Sequence, residues 1–190
     1  MASSHRIFLI DSYGFIFRAF HARARMQAPP MRTTTGLPTE AVLIFHNMVK
    51  RLSKTFAPLH MAAIFEGHGK THREAVFADY KANRSETPPD LLVQIPYIEK
   101  ILGALRIPIL QYPGFEADDV IGTLSRLAAE AGHEVVIVSS DKDMLQLVTE
   151  HVSMLNPAKD DTWYDPAKVR EFMGVDPGQV ADLLALKGDT

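Results

Sequence analysis

Short apolar runs and stretches with apolar residues every three or four positions take turns along this chain. Ile7 to Ile10, Met61 to Phe65 and Val135 to Val138 are apolar at consecutive positions over strand length, the pattern of strands buried on both faces of a parallel sheet. Ile107 to Leu110 is a fourth such patch. Between them, Tyr13 to His21, Pro38 to about Lys54, Leu91 to Leu105 and Glu116 to Ala131 carry helical spacing, the last closed by Gly132. Leu43, Met48, Val49 and Leu52 are expected to face the core from the second of these helices. Further on, Met144 to Leu147 predicts a short helix, Val152 to Leu155 and Trp163-Tyr164 edge strands, and Gln179 to Leu186 a last helix. Asp165-Pro166 and Asp176-Pro177 each pair an N-cap with proline at the first helical position. The alternation predicts an α/β fold, a mostly parallel central sheet flanked by helices. At 190 residues the chain is expected to form a single domain.

The polar residues that interrupt this pattern are acids at the ends of the apolar runs. The first run stops at Asp11, the second at Glu66, and the third passes through two serines to Asp141 and Asp143. The fourth leads through a Pro-Gly turn to Glu116, Asp118 and Asp119. Because the carboxyl ends of parallel strands lie along one edge, where α/β proteins bind ligands, these acids are expected to converge on one pocket. Two unit charges about 4 Å apart repel by ~4 kcal/mol at an effective dielectric of 20. Such a cluster therefore calls for cations, and oxygen-only donors suit Mg²⁺ or Mn²⁺. Each acid also has a plainer role. Asp141 could cap a helix, Ser140 and Asp143 have capping-box spacing, and Glu116, Asp118 and Asp119 could complement a helix dipole. Glu116 and Asp119, three apart, would share a helix face. Capping does not require three acids in four positions together with acids at other strand ends.

Charge distribution sharpens the picture. Net charge is −3, yet residues 1 to 114 carry a balance of +6 and residues 115 to 190 one of −9. A basic half could grip phosphates beside an acidic half that holds metal. With no cysteine the chain has no disulfide, thiolate zinc site or cysteine nucleophile, which suits the cytoplasm. Neither a signal-peptide stretch nor a run of membrane-spanning length is present.

The basic residues form two groups. Arg18, Arg23, Arg25 and Arg32 lie in a stretch without acids, which reads as a solvated loop or a phosphate-binding one. Lys70, Arg73, Lys81 and Arg84 interleave with Phe77 and Tyr80. In a helix over about Lys70 to Arg84 several of these would line one face, either packing the aromatics into the core or gripping a strand with stacking on a base. Two other sites come up at the same place. Gly69-Lys70-Thr71 resembles the end of a phosphate-binding P-loop, but Ile64 stands where that motif needs glycine. His68 and His72 are four apart, yet Gly69 follows His68 where the zinc-protease motif has glutamate.

Leu9 to Phe20, Phe115-Glu116-Ala117-Asp118-Asp119-Val120-Ile121-Gly122 and Ser139-Ser140-Asp141-Lys142-Asp143-Met144 together resemble the 5′-3′ exonuclease domains of the flap endonuclease family, as found in bacterial DNA polymerase I. Arg73, Tyr80 to Arg84 and Leu184 to Asp189 match in type and order. The resemblance implies a PIN-like 5′-nuclease architecture with a basic helical arch at about residues 67–89. It also implies a Mg²⁺- or Mn²⁺-dependent phosphodiesterase of replication and repair, cutting near the 5′ ends or flaps of DNA or of RNA primers on DNA. Two ions are implied, one served mainly by Asp11, Glu66, Glu116 and Asp118 and the other mainly by Asp119, Asp141, Asp143 and Asp189. Lys81 and Arg84, with Arg73 and Arg18, would offset the charge of the scissile phosphate. Tyr80, Lys70, Arg23 and Arg25 would contact the nucleic acid.

Glu66 departs from the aspartate usual at its position, so its contact with metal is expected to run through water. The family pattern continues past Asp189-Thr190 with another acid and a duplex-gripping helix-hairpin-helix segment, and in polymerase I with the polymerase domain. The chain is accordingly expected to be a C-terminally truncated 5′-nuclease domain. Two alternatives stay open: a PIN-like single-strand ribonuclease, and a non-catalytic module that binds metal and nucleic acid.

Overall fold

The computed structural model describes residues 6–77, 80 and 86–188. In chain order the elements are β1 (Arg6–Asp11), α1 (Ser12–Arg25), α2 (Glu40–Phe56), β2 (His60–Ile64), α3 (His72–Val76), α4 (Pro89–Leu92), α5 (Ile95–Ala104), β3 (Ile109–Leu110), α6 (Ala117–Glu130), β4 (Glu134–Val138), β5 (Val152–Asn156), β6 (Thr162–Tyr164), α7 (Pro166–Met173) and α8 (Val180–Lys187). Single 3-10 helices span Lys142–Leu147 and Pro177–Gln179. The described residues fall into two compact units: one runs to Asp11, takes in Pro58–Ile64 and resumes at Ala117, and the other holds Ser12–Ala57 and Phe65–Glu116. No helix among them is long and apolar enough to cross a membrane.

The first unit is built on five strands in the order β2-β1-β4-β5-β6. β1 is parallel to β2 and β4, β4 is parallel to β5, and only β6 runs antiparallel. The continuous apolar runs explain the centre. Phe8 to Ile10 and Val135 to Val138 are all 3% exposed or less, so both faces of β1 and β4 are covered. Each such side chain contributes ~1.5–3 kcal/mol of hydrophobic stabilisation. α6 covers β1 and β4 through Val120 and Ile121. It ends as its sequence predicts, with Gly132 at φ 83° and the His133 N–H bonded back to the Ala128 carbonyl. β5, expected at an edge, lies instead between β4 and β6 with Met154 and Leu155 buried. Of these two strands only β6 lies at an edge.

The second unit packs α1 and α5 on α2, with the rings of Phe15 and Phe45 edge to face at 6.5 Å. α2 starts at Glu40 because Pro38 and Thr39 are taken up by a loop, in which Pro38 bridges to Arg32 and the Thr39 N–H bonds the Met31 carbonyl. Its core stripe is Ala41, Phe45, Val49 and Leu52, while Leu43 is 43% exposed. The expected helix over Leu91 to Leu105 is two helices. Pro96 has no N–H to offer the Leu92 carbonyl, and Gln94, wholly buried, is turned away to cap α2 instead. Its Oε1 accepts from the N–H groups of Ala41 and Val42 at 2.9 and 3.2 Å, donors that Thr39 leaves without a side-chain partner.

Lys70 to Arg84, expected to be a charged, partly helical excursion, carries α3. This helix stops at Val76, and Phe77 is extended and 60% exposed, so Phe77 enters no core. Thr71 and Glu74 close a capping box at the start of α3, which accounts for Gly69-Lys70-Thr71 without a phosphate cradle.

Candidate active site

In the first unit the sequence acids are joined through a serine. Ile10 of β1 stands opposite Val138 of β4, so the next residues, Asp11 and Ser139, emerge side by side at the carboxyl edge of the two central strands. Both are buried. The Ser139 hydroxyl donates to Asp11 Oδ2 at 2.8 Å and accepts the Asp141 N–H at 3.0 Å. Asp141 Oδ1 then accepts the Asp143 N–H at 2.9 Å as N-cap of the following 3-10 helix. The cap is thus Asp141, not Ser140. One relay of three hydrogen bonds orders Asp11, Asp141 and Asp143. Asp118 and Asp119 stand in the first turn of α6, where the helix dipole favours negative charge.

The second unit holds Glu66 and Glu116. The chain after β2 runs beside the segment that ends at Glu116: the N–H groups of Phe65 and Gly67 donate to the Leu110 and Phe115 carbonyls at 2.9 and 3.0 Å. Gln111 Nε2 donates to the Glu66 carbonyl at 2.5 Å. The approach is so close that a Cβ on Gly67 would lie 2.0 Å from the Tyr112 carbonyl oxygen, which excludes any other residue without backbone movement. Burial, with the Glu66 and Glu99 charges adding, raises the Tyr13 hydroxyl pKa above its ordinary value.

Glu116, 5% exposed, is compensated from α3 and beyond. Arg73 Nη1 lies 3.5 Å from its Oε2, and the Tyr80 hydroxyl donates to the same oxygen at 3.2 Å. Two side chains expected on nucleic acid are therefore engaged with a carboxylate expected on metal. Glu116 itself precedes α6, which begins at Ala117, so it does not share a helix face with Asp119. Of the other cations, Arg23 Nε donates to the Pro29 carbonyl at 2.7 Å, and Arg25 and Lys70 are exposed. Arg18 is half-buried, and burial followed by the charges of Arg25 and Arg51 lowers its pKa. Lys81, Arg84 and Asp189 lie outside the described residues.

Among the described residues no three His, Asp or Glu side chains stand grouped as a ready cage for an ion, and this includes His68 and His72. The donor set still fits a hard cation. It is all oxygen, Asp11 is buried at a strand end, and Mg²⁺ keeps several waters while taking only one or two carboxylates. Ser139 and Gly67 escaped the sequence reading as site residues. The only signal for Ser139 was its place between a buried strand and Asp141.

The family model for the 5′-3′ exonuclease N-terminal resolvase-like domain matches residues 6–174. The chain belongs to this family. A 5′-3′ exonuclease of Aquifex aeolicus is 40% identical over 183 residues, 96% of this chain and 61% of that protein. DNA polymerase I of Pseudomonas aeruginosa is 43% identical over 181 residues, 95% of this chain but 19% of that protein. The chain thus spans less than two thirds of either relative. Among solved structures, a bacteriophage T5 flap endonuclease in complex with DNA and metal ions superposes with a TM-score of 0.71 at 20% identity, covering 97% of this chain and 66% of the other. The T5 5′-exonuclease with zinc bound gives 0.67 at 18%, covering 95% and 65%. Both share the 5′-nuclease fold with this chain.

Proposed function

We propose that the chain is the catalytic domain, residues 1 to 190, of a divalent-metal-dependent 5′-3′ exonuclease and flap endonuclease that hydrolyses phosphodiester bonds near the 5′ ends of DNA or of RNA primers paired to DNA. The observation that carries the reading is the relay Ser139–Asp11–Asp141–Asp143 at the carboxyl edge of the central strands, the place where α/β proteins bind ligands, in a chain of this family. In a longer polypeptide, as in the polymerase I relatives, a polymerase domain would be its partner.

Asp11, Glu66, Glu116 and Asp118 would hold one Mg²⁺ or Mn²⁺, and Asp119, Asp141, Asp143 and Asp189 a second. Bound there, a pair of ions supplies an activated water and offsets charge on the departing oxygen. The chain's own residues do the rest. Ser139 keeps Asp11 and the Asp141 backbone in fixed relation, so this part of the site is held before an ion arrives. Lys81 and Arg84, assisted by Arg73 and Arg18, neutralise the scissile phosphate. Arg18 suits an anion because it already sits among like charges. Tyr80, Lys70, Arg23 and Arg25 hold the strand.

The test is cleavage of a 5′-labelled flap substrate across a Mg²⁺ titration, with Asp119→Asn and Asp141→Asn beside the parent. Metal-dependent release of short 5′ products is expected, with kcat reduced about 100-fold or more in each variant and KM little changed. Metal-dependent cutting of single-stranded RNA alone would favour the ribonuclease reading. Binding without cleavage at any Mg²⁺ concentration would leave a non-catalytic module.

A further inference from the structure

Beside Asp141, and wholly within the first unit, lies a half-open cavity of about 320 Å³. Its walls include Lys142, Met154, Asn156, Lys159 and Phe172. The volume is at the small end of the ~300–1,000 Å³ typical of small-molecule sites, enough for one nucleotide and too small for a duplex. Two lysines and one aspartate among the lining residues give a formal balance of one positive charge.

The position of Lys159 is fixed by the backbone. It opens the last turn of the five-residue connection from β5 to β6, in which Asp160 and Asp161 have φ of 48° and 55° and the Thr162 N–H bonds the Lys159 carbonyl at 2.9 Å. Aspartate tolerates the positive φ that both central residues of this turn adopt. The turn leaves the Lys159 ammonium 4.2 Å from the centroid of the Phe172 ring, held by a π face rather than by a carboxylate. Phe172 is in turn set edge to face on the buried Tyr164 at 5.4 Å, and is itself 46% exposed. Asn156, 5% exposed, accepts the Ala158 N–H on its Oδ1 at 2.9 Å, which orients the amide and leaves its two N–H donors. A pinned ammonium, a second lysine, amide donors and an apolar wall together match a phosphate joined to a ring.

We infer that this cavity is a subsite for one nucleoside 5′-phosphate, its phosphate on Lys159 and Lys142 and its sugar or base against Met154 and Phe172; the inference rests on the nuclease reading only in taking Asp141 to stand beside the cleaved bond. The ligand could be a released mononucleotide or the terminal nucleotide of a strand.

The test is run in EDTA, so that cleavage plays no part. The ¹⁵N-labelled chain is titrated by NMR with thymidine 5′-monophosphate, thymidine, inorganic phosphate and a 5′-phosphorylated pentathymidylate. The expected result is saturable shifts of the Lys142, Asn156 and Phe172 amides with the monophosphate and far weaker ones with thymidine. Lys159→Ala should weaken the monophosphate about tenfold. Phe172→Ala should weaken it about fivefold and weaken inorganic phosphate less, through the lost hold on Lys159 alone. Both side chains are exposed, so neither variant threatens the fold. Tighter binding of the monophosphate than of the pentanucleotide identifies a product site, and the reverse identifies a strand-end site. Absence of shifts at these amides, indifference to Lys159→Ala, or equal binding of thymidine overturns the inference. Flap cleavage by the same preparation is read separately, so the nuclease reading can stand when this one falls, and the reverse.

Discussion

The hydroxyl of Ser139 is bonded to the carboxylate of Asp11 across the two central strands, and the same oxygen receives the Asp141 N–H. One small side chain thereby sets the spacing between two acids 130 residues apart in sequence. Ser139→Ala removes the donor to Asp11 and the acceptor for Asp141 together, in a buried place where no water replaces them cheaply. A loss of about 1–3 kcal/mol in urea unfolding is expected. Under the nuclease reading, the Mg²⁺ concentration for half-maximal cleavage should rise about tenfold. Parental stability and an unmoved metal titration would deny Ser139 this role.

Gly67 makes a separate, purely steric prediction. Its Cβ position is 2.0 Å from the Tyr112 carbonyl oxygen and 2.6 Å from that of Phe115, both backbone atoms held by the pairing of the two segments. Gly67→Ala should cost about 1–3 kcal/mol through forced backbone displacement. Gly103, inside α5 with nothing within 4 Å of its Cβ position, is the contrasting case. Gly103→Ala should stabilise by about 0.5 kcal/mol through the lower entropy of the unfolded chain. Equal effects of the two substitutions would mean that the close approach at Gly67 carries no energetic weight.

The difference between these two glycines also marks what the sequence discloses. Apolar periodicity located β1, β2, β4 and α6 because it reports burial, and burial of Phe8 to Ile10 or Val135 to Val138 is what makes those strands. The acids at their ends were legible for the same reason, since each interrupts an apolar run. Tertiary demands were not legible. Gln94 looks like mid-helix, yet it breaks the helix to cap α2. Arg73 and Tyr80 look like phosphate and base contacts, and a buried Glu116 engages both. Ser139 is an unremarkable serine until the register of β1 on β4 sets it beside Asp11.

Tyr13 gives a pH prediction. Burial, then the charges of Glu66 and Glu99, raise its pKa above the ordinary 10.0. Below the unfolded value both states keep the proton and stability does not depend on this group. As pH rises from about 10 through the higher folded value, the native state holds more proton than the unfolded one, so stability falls. Tyr13→Phe, which has no proton to lose, should flatten this alkaline decline in urea midpoints measured from pH 9 to 11. Superimposable declines for parent and variant would refute the assignment.

The last prediction concerns Glu116, whose Oε2 is shared by Arg73 at 3.5 Å and the Tyr80 hydroxyl at 3.2 Å. The Glu116 side chain is 6% exposed and that of Arg73 35%, so the pair is buried on the acid side and partly screened on the basic side. Removing Arg73 leaves a buried carboxylate with less compensation; removing both charges relieves that cost. A double-mutant cycle of Arg73→Ala and Glu116→Gln in unfolding free energy should therefore give a coupling of about 1–2 kcal/mol in EDTA. If Glu116 also serves a divalent ion through Oε2, metal and guanidinium compete for that oxygen, and the coupling should shrink in saturating Mg²⁺. The comparison separates two roles that the sequence could not. Coupling that is large in EDTA and unchanged by Mg²⁺ would keep Oε2 for the structural pair and leave only Oε1 for an ion, while no coupling in either condition would show that the contact with Arg73 is energetically idle.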